Sequence, residues 1–315
     1  MATHKLSENL KAIVQGMIRR KWTLIGGLFM LSFAGFAQQD EGSRPAKEYA
    51  ENIFTGTLLI NSQTTTVLLP KSWSFGLQHR FGLIGLDSTV WEQFLGLDLP
   101  ATIRFSFGRA FSDRFYVEIG RTNTLKTIDL EAKYLLVRQT TDFKTPISVA
   151  YYVNMAIRTE DFPNLPDNVY FEDGVTPFTY KPAHRFAYNT QLIISSKLSE
   201  KVSLQINPIF IYQNLAPAFH DNFTLVLSGG GRFKTGLRTA IVAEYAHVFN
   251  NRSTEFFDPF SAGVEFGTVG HTFQVFVSTA SRILESQIYT QSASNITEGK
   301  FLIGFNLKRI FWRKK

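Results

Sequence analysis

The residues best able to do chemistry in this chain are charged side chains that recur at every second position of apolar segments. Arg80, Arg104, Arg114, Glu118, Asp129, Glu131, Lys133, Glu244 and Glu265 each fall on the polar side of such a segment. Gathered around one space, they could pair with one another and plug it, or line a water-filled path and set its ion preference. Nucleophilic catalysis would instead need a base held beside a nucleophile. The six histidines, His4, His79, His184, His220, His247 and His271, show no recognisable spacing with a serine and an acid. No catalytic residue is therefore assigned and no enzyme is expected. The pair His79-Arg80 is the sharpest local feature. It reads either as a ligand- or proton-handling histidine, or as an interfacial histidine beside a structural arginine, and the second is preferred. The stretch 159–184 carries Glu160, Asp161, Asp167, Glu172 and Asp173 with four prolines. Hard cations take oxygen ligands, yet this spacing matches no defined calcium loop, so a solvated acidic loop is expected and no metal or cofactor is invoked.

These charges need elements that present them, and the periodicity says which. Trp73, Phe75, Leu77, His79 and Phe81 alternate with Ser74, Gly76, Gln78 and Arg80. Ile103, Phe105 and Phe107 alternate with Arg104, Ser106 and Gly108, and Phe115, Val117 and Ile119 with Arg114, Tyr116, Glu118 and Gly120. Ile128, Leu130, Ala132 and Tyr134 oppose Asp129, Glu131 and Lys133, and a fifth run spans 147–155. Further runs fall at 185–198, 201–213, 222–233, 236–249, 260–267, 271–279 and 300–310, with polar sides at Asn189, Gln191, Ser203, Gln205, Asn207, Gln274, Ser278, Asn306 and Lys308. A period of two over so many segments predicts about 12 strands, each with one oily and one wet face.

A soluble sandwich also alternates, so the connections decide. With a soft spot at 121–145, long and short connections take turns. The tight ones are 110–113, 199–200, 234–235 and 268–270, and the longer ones between them are richer in polar residues. Membrane barrels combine short periplasmic turns with longer outer loops, whereas a Greek-key sandwich has no reason to alternate loop length in register. The fold class expected is all-β: an antiparallel up-and-down transmembrane barrel over 73–315. A charge facing lipid costs roughly 2–4 kcal/mol at the midplane, so the charged positions named above should line the lumen. At about 12 strands the bore is narrow, and a mostly filled or constricted lumen is favoured.

Composition fits. Phenylalanine occurs 30 times and aromatic residues make up 14%, as lipid faces and aromatic girdles require, while mean hydropathy is near zero. No stretch after residue 37 is long and apolar enough for a helical span. Residues 1–37 read as an export signal. Met17-Ile18-Arg19-Arg20-Lys21 precedes an apolar run from Trp22 to Phe36, and Gly35-Phe36-Ala37 supplies small residues at a cleavage site. Residues 1–16 lie upstream of a second plausible start at Met17. The net charge of +7 is partly this signal's. Without it, 28 basic and 25 acidic residues remain, and no basic stripe is left for nucleic acid. There is no cysteine, so a disulfide framework and a thiolate metal site are excluded. Residues 38–72 are compatible with a periplasmic arm, an inward-folded plug or an edge strand.

Gln78-His79-Arg80-Phe81-Gly82, Gly96-Leu97-Asp98, Gly120-Arg121-Thr122, Lys133-Tyr134, Arg138-Gln139 and Gly270-His271-Thr272-Phe273-Gln274 follow one another in order. In these the chain resembles an uncharacterised bacterial family of outer-membrane β-barrel proteins, over about 55–305. The resemblance implies a barrel in the outer membrane and carries no activity or substrate. The partners expected are the outer-membrane bilayer and the barrel-assembly machinery, which would read the closing strand Phe301, Ile303, Phe305, Leu307 although a basic tail replaces a terminal aromatic. Nucleic acid is not a partner, small solutes are possible, and a protein partner is unspecified. The leading function is a narrow channel or transport-related barrel for small solutes; the alternative is a structural or assembly role without conductance.

Overall fold

The computed structural model describes residues 48–86, 89–166, 168–171, 173–216, 220–251, 256–291 and 294–312. The expected export signal at 1–37 lies outside the described residues.

The alternating segments form twelve strands: β1 (Trp73–Arg80), β2 (Thr102–Ala110), β3 (Phe115–Thr122), β4 (Thr127–Val137), β5 (Ser148–Arg158), β6 (Phe186–Lys197), β7 (Val202–Gln213), β8 (Phe223–Lys234), β9 (Thr239–Val248), β10 (Phe260–Gly267), β11 (His271–Ser278) and β12 (Leu302–Phe311). Each pairs antiparallel with its neighbours in sequence, and β1 closes the sheet on β12 with Gln78 opposite Asn306. Closure leaves no edge, so the backbone polar groups of the strands are met within the sheet, which a wall facing lipid requires. Side chains of one parity are buried inward, and those of the other stand out; Phe107 is 60% exposed where its neighbour Ser106 is 2%. Trp73, Phe111, Phe115, Tyr134, Phe311 and Trp312 sit near one end of the wall, and Phe186, Tyr188, Tyr212, Phe223 and Phe249 near the other. These are the two girdles expected where rings meet headgroups.

The loop asymmetry holds except at the soft spot, where it inverts. The connection between β3 and β4 at the long-loop end is only 123–126, while that between β4 and β5 at the short-turn end runs 138–147. The longer turn has an occupant. Ala50 donates to the Gln139 carbonyl (2.9 Å), Thr141 to that of Glu48 (3.1 Å), and Tyr49 bridges Thr140. It holds the point where the N-terminal segment enters the barrel.

Of the three compatible placements for 38–72, the described part, 48–72, is the inward-folded plug. From the β4–β5 turn the chain climbs the lumen, reverses in a hairpin over 57–64, and descends to β1. The hairpin closes by Leu59 N to Ser62 O (2.8 Å) and Thr64 N to Thr57 O (3.0 Å). Its tip buries Leu59 and Ile60 against Ile53, Phe54, Val242 and Phe276. A second insertion comes from the long-loop end, where the β11–β12 connection folds inward and forms the short helix α1 (Glu285–Ile288). Ile288 and Tyr289 pack on an apolar sector of the inner wall made by Ile209, Ile211, Val226, Ala246 and Val248. On β7 both faces are thus apolar near this end, which a strict oily-and-wet alternation does not anticipate.

Candidate functional site

The lumen is the site, and the strand positions dictate its chemistry. Gln78, Arg104, Glu118, Asp129 and Glu131 occupy inward positions of four successive strands at similar height, because the β1–β2 register sets Gln78 opposite Arg104 and the β3–β4 register sets Glu118 opposite Glu131. Two carboxylates opposite one another repel unless a cation lies between them. Arg104 supplies it. Its guanidinium contacts Asp129 through Nε and Nη2 (3.0 and 2.5 Å), Glu118 (3.1 Å), Glu131 (3.0 Å) and Gln78 Oε1 (3.0 Å). The planar fork is fully used. It fits because Gly120 has no side chain: a Cβ there would lie 2.4 Å from Nη2. Lys308 reaches across from β12 to Glu118 (2.6 Å), Tyr116 Oη (3.2 Å) and Thr57 Oγ1 (2.8 Å). The Tyr116 and Tyr152 hydroxyls donate to Glu118 and Glu131 respectively.

The rest of the charged set holds the plug. Lys133 Nζ donates to the Thr57 carbonyl (3.0 Å). Arg80, fully buried, donates to Asn61 Oδ1 and Asn306 Oδ1 (both 2.9 Å) and lies 4.4 Å over the Phe276 ring. Glu244 accepts from the backbone N–H groups of Asn61 (2.8 Å) and Ser62 (3.0 Å), so one carboxylate satisfies both donors at the hairpin tip. Glu265 pairs with Arg232 (2.8 Å) and accepts from Gln274 (2.9 Å), which itself donates to the Leu59 carbonyl (2.5 Å). Asn306 donates to the Ile60 carbonyl (2.8 Å), Gln205 and Asn207 to that of Gln63 (3.0 Å each), and Gln63 to Glu131 (3.0 Å). Buried backbone groups of a segment outside any sheet must find partners. Here the wall's side chains provide them, one for nearly every residue of the turn.

Eight of the nine expected lumen residues are inward and engaged. Arg114 is the exception. It precedes β3 in the tight turn and reaches the Leu136 carbonyl at the rim (3.5 Å), because the strand begins one residue later than the alternation suggests. His79 takes the bland reading: it shares the outer face, stacked on Phe305 at 5.1 Å. Residues the sequence reading left out of the set are Lys308, Gln274, Tyr116, Tyr152 and Glu285. The first four share the parity of inward neighbours, and the alternation already puts Tyr116, Gln274 and Lys308 on the polar sides of their segments without singling them out. Glu285 sits in α1, where no period helps. Burial pushes its carboxyl up to about 7, and it accepts from Gln191 (3.4 Å).

Plug and insertion meet midway. The cavity left between Leu58, Asn61, Gln63, Glu131, Tyr152 and Glu285 measures about 10 Å³, near the lower limit for one water. In the acidic loop, Asp161 lies 3.8 Å from Arg185, Glu160 lies 3.7 Å from Arg158, and Asp173 caps its own turn through Val175 N and Thr176 N (3.0 and 2.8 Å). Asp167 and Glu172 lie outside the described residues. Among the described residues no three histidine, cysteine or acidic side chains gather as metal ligands do.

No curated protein matches the chain in sequence. Solved structures that it is similar to include the NanC porin (5% identity, TM-score 0.47, covering 76% of this chain and 100% of that one) and the KdgM porin (10%, 0.45, 76% and 99%). The COG4313 outer membrane channel from Pseudomonas putida F1 is similar at 11% identity (TM-score 0.46, 78% and 97%). A family model matches residues 54–311, from within the plug to the end of β12, so that the hairpin is included with all twelve strands. The chain therefore belongs to the family described as "Membrane bound beta barrel domain (DUF5777)".

Proposed function

We propose that the protein is a gated channel of the outer membrane that passes small solutes when its N-terminal hairpin leaves the lumen. The observation carrying this reading is that both legs of the hairpin, 48–56 and 65–72, run to the same end of the barrel. A segment entering and leaving by one mouth can withdraw without threading and without breaking a strand pair. Its hold on the wall combines hydrogen bonds, which water can replace at a net cost of about 1 kcal/mol each, more where a charge takes part, with the apolar contact of Ile53, Phe54, Leu59 and Ile60 on Val242 and Phe276. The short-turn end then faces the periplasm, where the arm would emerge after export, and the long loops face outward. Assembly machinery would read β12 as the closing strand.

A structural or partner-binding role without conductance is the second reading. It is favoured by the double filling, since the hairpin and α1 occupy the lumen from opposite ends. Planar-bilayer recording on the purified protein separates the two. The gated channel predicts a wild type that is closed most of the time and a variant lacking residues 54–66 that gives steady conductance steps. Silence from that variant, with the barrel shown intact by heat-modifiable gel migration, would establish the structural reading. For the membrane assignment, failure of the protein to partition with outer-membrane fractions would refute it.

A further inference from the structure

We propose that the inner wall is a binding surface for short, uncharged peptides, and that the hairpin occupies it as an internal substitute for them. A peptide can enter only when the hairpin leaves, so the site rests on the channel reading and names the solute for it. From Phe54 to Leu69 the segment carries no charged side chain. The wall meets its main chain at successive residues. Gln274 donates to the Leu59 carbonyl (2.5 Å) and Asn306 to that of Ile60 (2.8 Å). Glu244 accepts from the N–H groups of Asn61 and Ser62, and Gln205 and Asn207 both donate to the Gln63 carbonyl (3.0 Å each). Carbonyl, carbonyl, N–H, N–H, carbonyl over consecutive residues is the pattern of a peptide backbone. Main-chain hydrogen bonds give affinity without reading side chains. They fix the class of the ligand and leave its sequence open.

The groups that make these bonds are held by the wall itself. Gln274 and Asn306 face one another in the β11–β12 register. Asn306 also donates to Gln274 Oε1 (2.9 Å) and accepts from Arg80 Nη1 (2.9 Å), while Gln274 donates to Glu265 (2.9 Å). Gln205 and Asn207 both project inward from β7. Their placement therefore outlasts the hairpin, and a site set in place before its ligand arrives loses less on binding. Val242 and Phe276, which Leu59 and Ile60 now cover, would take apolar side chains of the incoming peptide. The hairpin competes as a tethered ligand. A short flexible tether gives it an effective concentration in about the millimolar range, so a peptide of equal affinity displaces half of it at a similar concentration.

Ser62→Cys in the full-length protein, which has no other thiol, reports release of the buried tip through its rate of maleimide labelling in detergent. The probe is the acetylated and amidated peptide Thr-Leu-Leu-Ile-Asn-Ser-Gln, the sequence of residues 57–63. It should accelerate labelling at least tenfold and saturably, with half the effect at about millimolar concentration. The same peptide methylated on its Asn and Ser nitrogens, which then donate nothing to Glu244, should leave the rate unchanged, as should maltoheptaose. Amide exchange at Asn61 and Ser62 in the unsubstituted protein should rise with the unmodified peptide by the same factor, which decides the matter even if the thiol disturbs the tip. Equal acceleration by the methylated peptide or the sugar would overturn the proposal. Labelling that proceeds but ignores the peptide would overturn the peptide site and leave the channel standing. A thiol that never labels, with tip amides that never exchange, would remove both.

Discussion

Replacing Glu244 by glutamine should free the hairpin tip and leave the barrel standing. The carboxylate accepts from Asn61 N at 2.8 Å and Ser62 N at 3.0 Å. An amide of the same shape keeps one acceptor oxygen and turns a donor toward the second N–H. One charge-assisted bond, of about 1.5–3 kcal/mol, is therefore lost. At 1.4 kcal/mol per factor of ten, the population with the tip released should rise by roughly 10- to 100-fold. Amide hydrogen exchange reads such local openings directly. In Glu244→Gln the amides of Asn61, Ser62 and Thr64 should exchange faster by that factor. Strand amides of the barrel, such as those of β11 and β12, should keep their wild-type rates. Unchanged exchange at the tip would refute the clamp, and a uniform rise across the strands would show that Glu244 supports the wall instead.

Gly230 lies under the tip, and a Cβ there would stand 2.5 Å from Leu59 Cδ2 and 2.7 Å from the Ala243 carbonyl; Gly230→Ala should cost about 1–3 kcal/mol by overpacking, seen as faster tip exchange and partly rescued by Leu59→Ala. Arg104→Ala leaves the buried Asp129 and Glu131 without a cation and should destabilise by about 3–5 kcal/mol, lowering the temperature at which the folded gel band is lost, whereas Arg114→Ala at the rim should stay within about 0.5 kcal/mol. Burial raises the Glu285 carboxyl from near 4.5 to about 7, so its stabilising contribution is complete below the ordinary value and is lost as pH rises to about 7. Exchange at the Gln287 and Tyr289 amides, taken relative to Glu285→Gln at the same pH, should climb up to roughly tenfold per unit across that window and then level off; a flat ratio would contradict it.

Most of the wall was legible in the sequence because its cause is local. Strand after strand, a period of two in hydropathy is what a surface with lipid outside and polar groups inside imposes, and expected and observed limits differ by a few residues, as at 236–249 against Thr239–Val248. The loops were legible for the same reason, except around β4, where a short outer turn and a long inner one reflect docking of a distant segment. The plug was not legible. Residues 57–64 carry no glycine or proline to mark a turn, and their backbone is satisfied by Glu244, Gln274 and Asn306, about 180 to 250 residues away. Parity placed eight of the nine lumen charges, but it could not say that four of them, Arg80, Glu131, Lys133 and Glu244, grip a hairpin instead of lining a pore. Arg114 failed because parity continues through a turn on paper while the strand itself starts at Phe115.

The gating hairpin can be tested most directly with a tether. The chain has no cysteine, and Ser62 Oγ lies 2.8 Å from Ser228 Oγ on β8, so the double variant Ser62→Cys, Ser228→Cys would hold the only thiols in the protein. Oxidation should close a disulfide between hairpin and wall and abolish conductance in planar bilayers, and reduction on the same membrane should restore the wild-type openings. Conductance steps of equal size and frequency in the oxidised and reduced states, with the disulfide shown to be formed, would contradict a channel gated by this segment.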